Sequence, residues 1–195
     1  YVDDLGHIIS ALGVERPILC GFSMGGYIAL RANEKLETKF AALILANTAT
    51  ASDSDEAKLK RAAAISSIDE NGVEPFLDQF FSAAFSEGFA HQASDTLKKI
   101  KTRILRFSPV GIKGGLLAMV SRTDTTQSLN SIESPVLLIT GENDKIISPD
   151  TMKNMAKKIK NHTFVSLDNC GHMSMYENPL AFKDAMRRFL KRVSE

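Results

Sequence analysis

Gly21-Phe22-Ser23-Met24-Gly25-Gly26 follows directly on the apolar run Pro17-Ile18-Leu19-Cys20. The pattern places a serine where a strand ends and a helix begins. A serine raised on such a sharp turn is held in strained backbone with its hydroxyl exposed, and the strain demands small neighbours. Gly21, Gly25 and Gly26 supply them. The segment Tyr27-Ile28-Ala29-Leu30-Arg31-Ala32 that follows reads as a helix whose N-terminal dipole points at the serine and stabilises developing negative charge. Taken alone, the five-residue pattern Gly21 to Gly25 fits a glycine-rich turn with an incidental serine about as well as a catalytic one.

Two later segments change that balance. Pro135-Val136-Leu137-Leu138-Ile139 is a continuous apolar run, as expected of a strand buried on both faces, and it leads into Thr140-Gly141-Glu142-Asn143-Asp144. His162-Thr163-Phe164-Val165-Ser166-Leu167 is rich in β-formers and leads into Asp168-Asn169-Cys170-Gly171-His172. Each carries polar residues just past the carboxyl end of a strand, which is where ligands bind in open α/β sheets. A serine hydroxyl needs a base. His172 is the only histidine placed at such a strand end beside a glycine; His7 and His91 fall in helical stretches and His162 precedes a strand. Asp144, Glu142 and Asp168 are the carboxylates available to orient it.

The order of these elements is α/β. Val2 to Leu12 has helical spacing, with Gly13 as its C-cap; Ile18 to Phe22 is a strand, Ser23 to about Asn33 a helix, and Phe40 to Ala46 an apolar strand. Parallel strands joined in this way need crossover helices. From about Thr50 to Thr126 strand patterning stops. Helices are expected over Ser54 to Ile68, Val73 to Ala84, Ser94 to Phe107 and Gly111 to Ser121, with a phenylalanine stripe at Phe76, Phe80, Phe81, Phe85 and Phe89. Most of that stripe is expected to pack the segment onto the sheet, with one or two rings reaching a pocket. Alternation then resumes: strand Val136 to Thr140, helix from Ser148-Pro149-Asp150 to about Ile159, strand Thr163 to Leu167, and an amphipathic helix from about Pro179 to Val193.

The chain resembles an α/β-hydrolase, of the compact type that includes carboxylesterases and 3-oxoadipate enol-lactonases. The resemblance runs from Tyr1 to about Val193, the last three-quarters of such a protein. It rests on Gly21 to Gly26, Arg122-Thr123-Asp124, Gly141-Glu142-Asn143-Asp144 and Gly171-His172, in the triad order serine, acid, histidine. The resemblance implies a sheet core from residues 1–50 and 127–195, with 51–126 as a helical cap. It implies Ser23 as nucleophile, His172 as base, Asp144 as acid in preference to Glu142 or Asp168, and the Met24 backbone N–H as an oxyanion donor. The implied reaction is cleavage of a carboxylic ester or lactone through an acyl-enzyme, with no cofactor and no metal. A haloperoxidase-like or carbon–carbon bond hydrolase shares the triad, and a non-catalytic fragment or binding protein of the same fold is a further alternative.

The family's early strands and its second oxyanion loop have no counterpart here. Ile18 to Phe22 is then an apolar edge, a liability in a sheet. The expectation is that the early strands lie outside these 195 residues, or that a second chain or swapped protomer supplies them. Composition narrows the partners. With 44% hydrophobic residues, 24% charged residues and a net charge of +1, nothing favours nucleic acid or an anionic membrane. Two cysteines, Cys20 and Cys170, are too few for a disulfide framework and are expected as buried apolar residues in a reducing, cytoplasmic setting.

Overall fold

The computed structural model describes residues 1–195. Four strands, β1 (Ile18–Phe22), β2 (Ala42–Ala46), β3 (Val136–Gly141) and β4 (His162–Leu167), form one parallel sheet in the order β1-β2-β3-β4. Helix α1 (Val2–Leu12) precedes β1 and α2 (Met24–Lys35) carries the chain to β2. Between β2 and β3 lie α3 (Asp55–Asn71), α4 (Val73–Ala84), α5 (Glu87–Gln92), α6 (Ser94–Ile104), α7 (Pro109–Val120) and a 3-10 turn at Thr126–Ser131. Helix α8 (Pro149–Ala156) joins β3 to β4, and α9 (Ser174–Glu177) and α10 (Pro179–Ser194) close the chain.

β2 is apolar throughout and β3 is apolar from Val136 to Ile139 because both sheet faces are covered, and side chains alternate between the two faces. Leu43, Leu45, Val136 and Leu138 pack with Ile9, Leu30, Met152 and Ile159 under α1, α2 and α8. Ala42, Ile44, Leu137 and Ile139 pack with Leu167 and Phe189 under α10. Burial of this kind stabilises by about 1.5–3 kcal/mol for each large side chain. No helix is long and apolar enough to cross a membrane.

β1 lies at the edge with its outer side unpaired, and Ile18 and Cys20 are exposed. Cys20 thus departs from its expected burial, because it sits on the strand with no outer neighbour. Cys170 is buried, and burial, with the charges of Glu177 and Asp168, pushes its thiol up to about 11.

The helical boundaries differ from the sequence pattern in several places, and α3 runs on to Asn71 rather than ending at Ile68. The short α5 was not expected, α6 ends at Ile104 rather than Phe107, and α8 ends at Ala156. The five phenylalanines form a continuous ladder of ring contacts from Phe76 to Phe89, in which Phe85 is fully buried. The turn between α4 and α5 docks on the loop around His172. The Met173 N–H donates to the Ala84 carbonyl (3.1 Å), and the Glu177 carboxylate accepts from the N–H groups of both Gly171 (2.9 Å) and Ser86 (3.0 Å).

Candidate active site

The turn after β1 has the strain that its sequence implies. Ser23 has φ 48° and ψ −115°, a sparsely populated conformation that costs of the order of 1–3 kcal/mol. Its surroundings hold it there. The Ser23 N–H donates to the Ala46 carbonyl (2.9 Å), the Ser23 carbonyl accepts from the Thr48 hydroxyl (2.8 Å), and the Gly26 N–H donates to the same carbonyl (2.9 Å). Side chains are excluded around it. A methyl group at Gly21 would strike the Gly25 carbonyl, and one at Gly26 would strike the Thr48 side chain.

Three loops at the carboxyl ends of β1, β3 and β4 bring Ser23, Asp144 and His172 together. The Ser23 hydroxyl donates to His172 Nε2 (2.9 Å), and His172 Nδ1–H donates to Asp144 Oδ2 (2.9 Å). His172 is 1% exposed and Asp144 5%, so this pair sits away from bulk water while Ser23 is only half-buried. The Phe22 ring flanks the imidazole with centroids 5.1 Å apart.

Asp144 is held by four N–H groups. Oδ2 accepts from His172 and from Asn47 Nδ2 (2.9 Å); Oδ1 accepts from the backbone of Ile146 (2.8 Å) and Ile147 (2.9 Å). Burial alone would push this carboxyl up. The hydrogen bond and charge of His172, with the donors Asn47 and Ile147, outweigh it and hold Asp144 below the ordinary carboxylate value. The rival carboxylates are elsewhere. Glu142 Oε2 accepts from the Asn169 N–H (3.3 Å), and Asp168 is exposed. His7 and His91 are exposed, and His162 Nδ1 contacts the Ile159 carbonyl (2.7 Å).

Three residues at this site carried no sequence motif: Asn47, Thr48 and Ser174. Asn47 Oδ1 accepts from the Ser174 hydroxyl (2.7 Å), and all three are fully buried. For Asn47 and Thr48, their place as polar residues just past the apolar β2 is the available signal.

Met24, next to Ser23, opens α2 and lines a cavity of about 410 Å³ with Tyr27, Ile28, Ala118, Met119 and Arg122. Ser23, His172 and the phenylalanine ladder do not line it, so the cavity flanks the triad rather than enclosing it. Asp53 and Arg122 tie the two ends of the helical segment together. Arg122 Nη2 donates to Asp53 Oδ1 (3.0 Å), Arg61 bonds the same carboxylate, and the Arg122 guanidinium stacks 4.0 Å from the Tyr27 ring centroid. Burial pushes the Asp53 carboxyl up, but its bonds and charge interactions with Arg61 and Arg122 prevail and hold it below the ordinary value.

Known proteins share this fold. A family model described as the alpha/beta hydrolase fold matches residues 1–179. 3-Oxoadipate enol-lactonase 1 of Acinetobacter baylyi is 26% identical over 191 residues, a match covering 98% of this chain and 70% of that protein. A thermophilic esterase from Thermogutta terrifontis, solved with malate bound, superposes with a TM-score of 0.93 at 30% identity, covering 98% of this chain and 71% of that one. The enol-lactonase of Burkholderia xenovorans has the same fold, with a TM-score of 0.88 at 22% identity over 97% of this chain and 71% of that chain. The family match over residues 1–179, on a parallel sheet with a serine turn after its first strand here, shows that the chain belongs to the alpha/beta hydrolase fold family.

Proposed function

We propose that the protein is a serine hydrolase that cleaves a carboxylic ester or lactone through an acyl-enzyme on Ser23. The hydrogen-bonded line from Ser23 Oγ through His172 to Asp144 carries this reading. His172 Nε2 takes the Ser23 proton as Oγ attacks the carbonyl carbon. The Met24 N–H, at the start of α2, faces the developing oxyanion, with the helix dipole behind it. The carbon–oxygen bond to the leaving group then breaks, and the imidazolium returns the proton to the departing oxygen. Water, deprotonated by His172, attacks the acyl carbon, and Ser23 leaves as the alcohol. Asp144 keeps Nδ1 protonated and stabilises the imidazolium in both steps.

The cavity beside Met24 is of the size of small-molecule sites and suits a compact acyl or alkoxy group. Residues 51–126 act in this reading as the cap that shields it. The names of the enol-lactonase and esterase relatives support the ester and lactone class. The two unpaired thiols suit a cytoplasmic setting.

A panel of p-nitrophenyl esters of increasing acyl length, with small lactones alongside, tests the proposal. Turnover of short acyl esters or lactones that disappears in Ser23→Ala is expected. A protein that turns over no member of either class contradicts it.

A further inference from the structure

We propose that Asn47 is a positioning residue whose amide, locked by Ser174, fixes the Asp144 carboxylate against His172. The inference rests on the triad reading above and adds to it the group that sets the acid's geometry.

The bonding directions leave one arrangement. An ionised carboxylate only accepts hydrogen bonds, so the Asn47 amide must turn its Nδ2 toward Asp144 Oδ2. Its Oδ1 then faces Ser174, and that hydroxyl must donate. The result is a line running in one sense: Ser174 O–H to Asn47 Oδ1, and Asn47 N–H to Asp144 Oδ2. Groups in such a line polarise one another. Asn47 and Ser174 are both 0% exposed, so no solvent molecule stands ready to replace either partner.

The backbone at Asn47 supports a built device. Its φ is 47°, in the left-handed region that asparagine tolerates better than most side chains. Its N–H donates to the Ile139 carbonyl (2.9 Å), so the residue is pinned between β2 and β3. Its neighbours serve the other end of the triad. Ala46 accepts from the Ser23 N–H, and Thr48 donates to the Ser23 carbonyl. Three consecutive residues thus hold the nucleophile through Ala46 and Thr48 and the acid through Asn47. Ser174, two residues past His172, ties the third member to the same point. The end of β2 sets the spacing of the whole triad.

Asn47→Gly keeps the left-handed backbone and removes the amide; Ser174→Ala keeps the amide and removes its lock. Steady-state kinetics on a p-nitrophenyl ester, with thermal unfolding to confirm folded protein, test the role. For Asn47→Gly, kcat is expected to fall about 10–100-fold, the size of effect seen when hydrogen-bond partners that orient metal-ligating side chains are removed. KM is expected to stay within about twofold, since the amide acts on the acid and does not touch substrate. Ser174→Ala is expected to cost about tenfold in the native background and less than about twofold when Asn47 is already glycine, because the hydroxyl acts through the amide.

Two results overturn the inference while leaving the triad intact: a kcat within about twofold of native for folded Asn47→Gly, or an equal cost of Ser174→Ala in both backgrounds. A different result tells against the triad itself. If Ser23→Ala retains native activity, the reading on which this inference rests fails first.

Discussion

Asp144→Asn changes one atom type and tests the proposed triad at its most constrained point. Oδ1 of Asp144 accepts from the backbone N–H groups of Ile146 and Ile147. The amide oxygen of the variant must therefore stay on that side, and its NH₂ must take the place of Oδ2. There it meets two donors, His172 Nδ1–H and Asn47 Nδ2. Asn47 relieves its clash by turning its amide over, since Ser174 accepts as readily as it donates. His172 relieves its own only by moving the proton to Nε2. That nitrogen then donates toward Ser23 and can no longer take its proton. Loss of the correct tautomer costs on the order of 10⁴ in kcat in serine hydrolases, about 5.4 kcal/mol of barrier. Stability should change far less, because every buried polar atom keeps a partner. Stopped-time ester hydrolysis, paired with a urea melt, separates the two. A folded Asp144→Asn protein that keeps more than a tenth of native kcat would rule out the tautomer switch at His172.

Gly26→Ala drives a methyl group into Thr48, which cannot turn away without losing its bond to the Ser23 carbonyl; the variant is expected to lose about 1–3 kcal/mol, and an unchanged urea midpoint would contradict the close approach. Asp53 has a folded-state value below its unfolded one, so its contribution is present above the unfolded value near 3.9 and drains away as pH falls through it toward the folded value. Asp53→Asn should therefore flatten the acid side of the stability curve, and an identical slope in both proteins would show that the Arg61 and Arg122 pairing is inert.

What the sequence reveals follows how locally each feature is encoded. The serine turn is written in six neighbouring residues, and its strain needs only nearby glycines. β2 and β3 announce themselves because burial on both faces demands unbroken apolar runs. Asp144 and His172 were legible as polar residues just past strand ends, although choosing Asp144 over Glu142 needed the family's loop pattern. The helices between β2 and β3 were harder. α5, six residues long, is too short to show a period, and it forms where Ser86 caps it by accepting from the Phe89 N–H (3.3 Å). Asn47 and Ser174 stayed silent for a different reason. Their roles exist only across separations of 97 and 127 residues, and no local spacing records such a contact. Cys20 is exposed against its expected burial because edge and interior strands look alike until the sheet order is known.

In the proposed reaction Ser23 is a nucleophile made reactive by His172. Labelling with a fluorophosphonate probe, followed by intact mass and peptide mapping, addresses it most directly. A single adduct on the Ser23 hydroxyl is expected in the native protein and none in Ser23→Ala. An adduct on another residue, or labelling that survives Ser23→Ala, would contradict it.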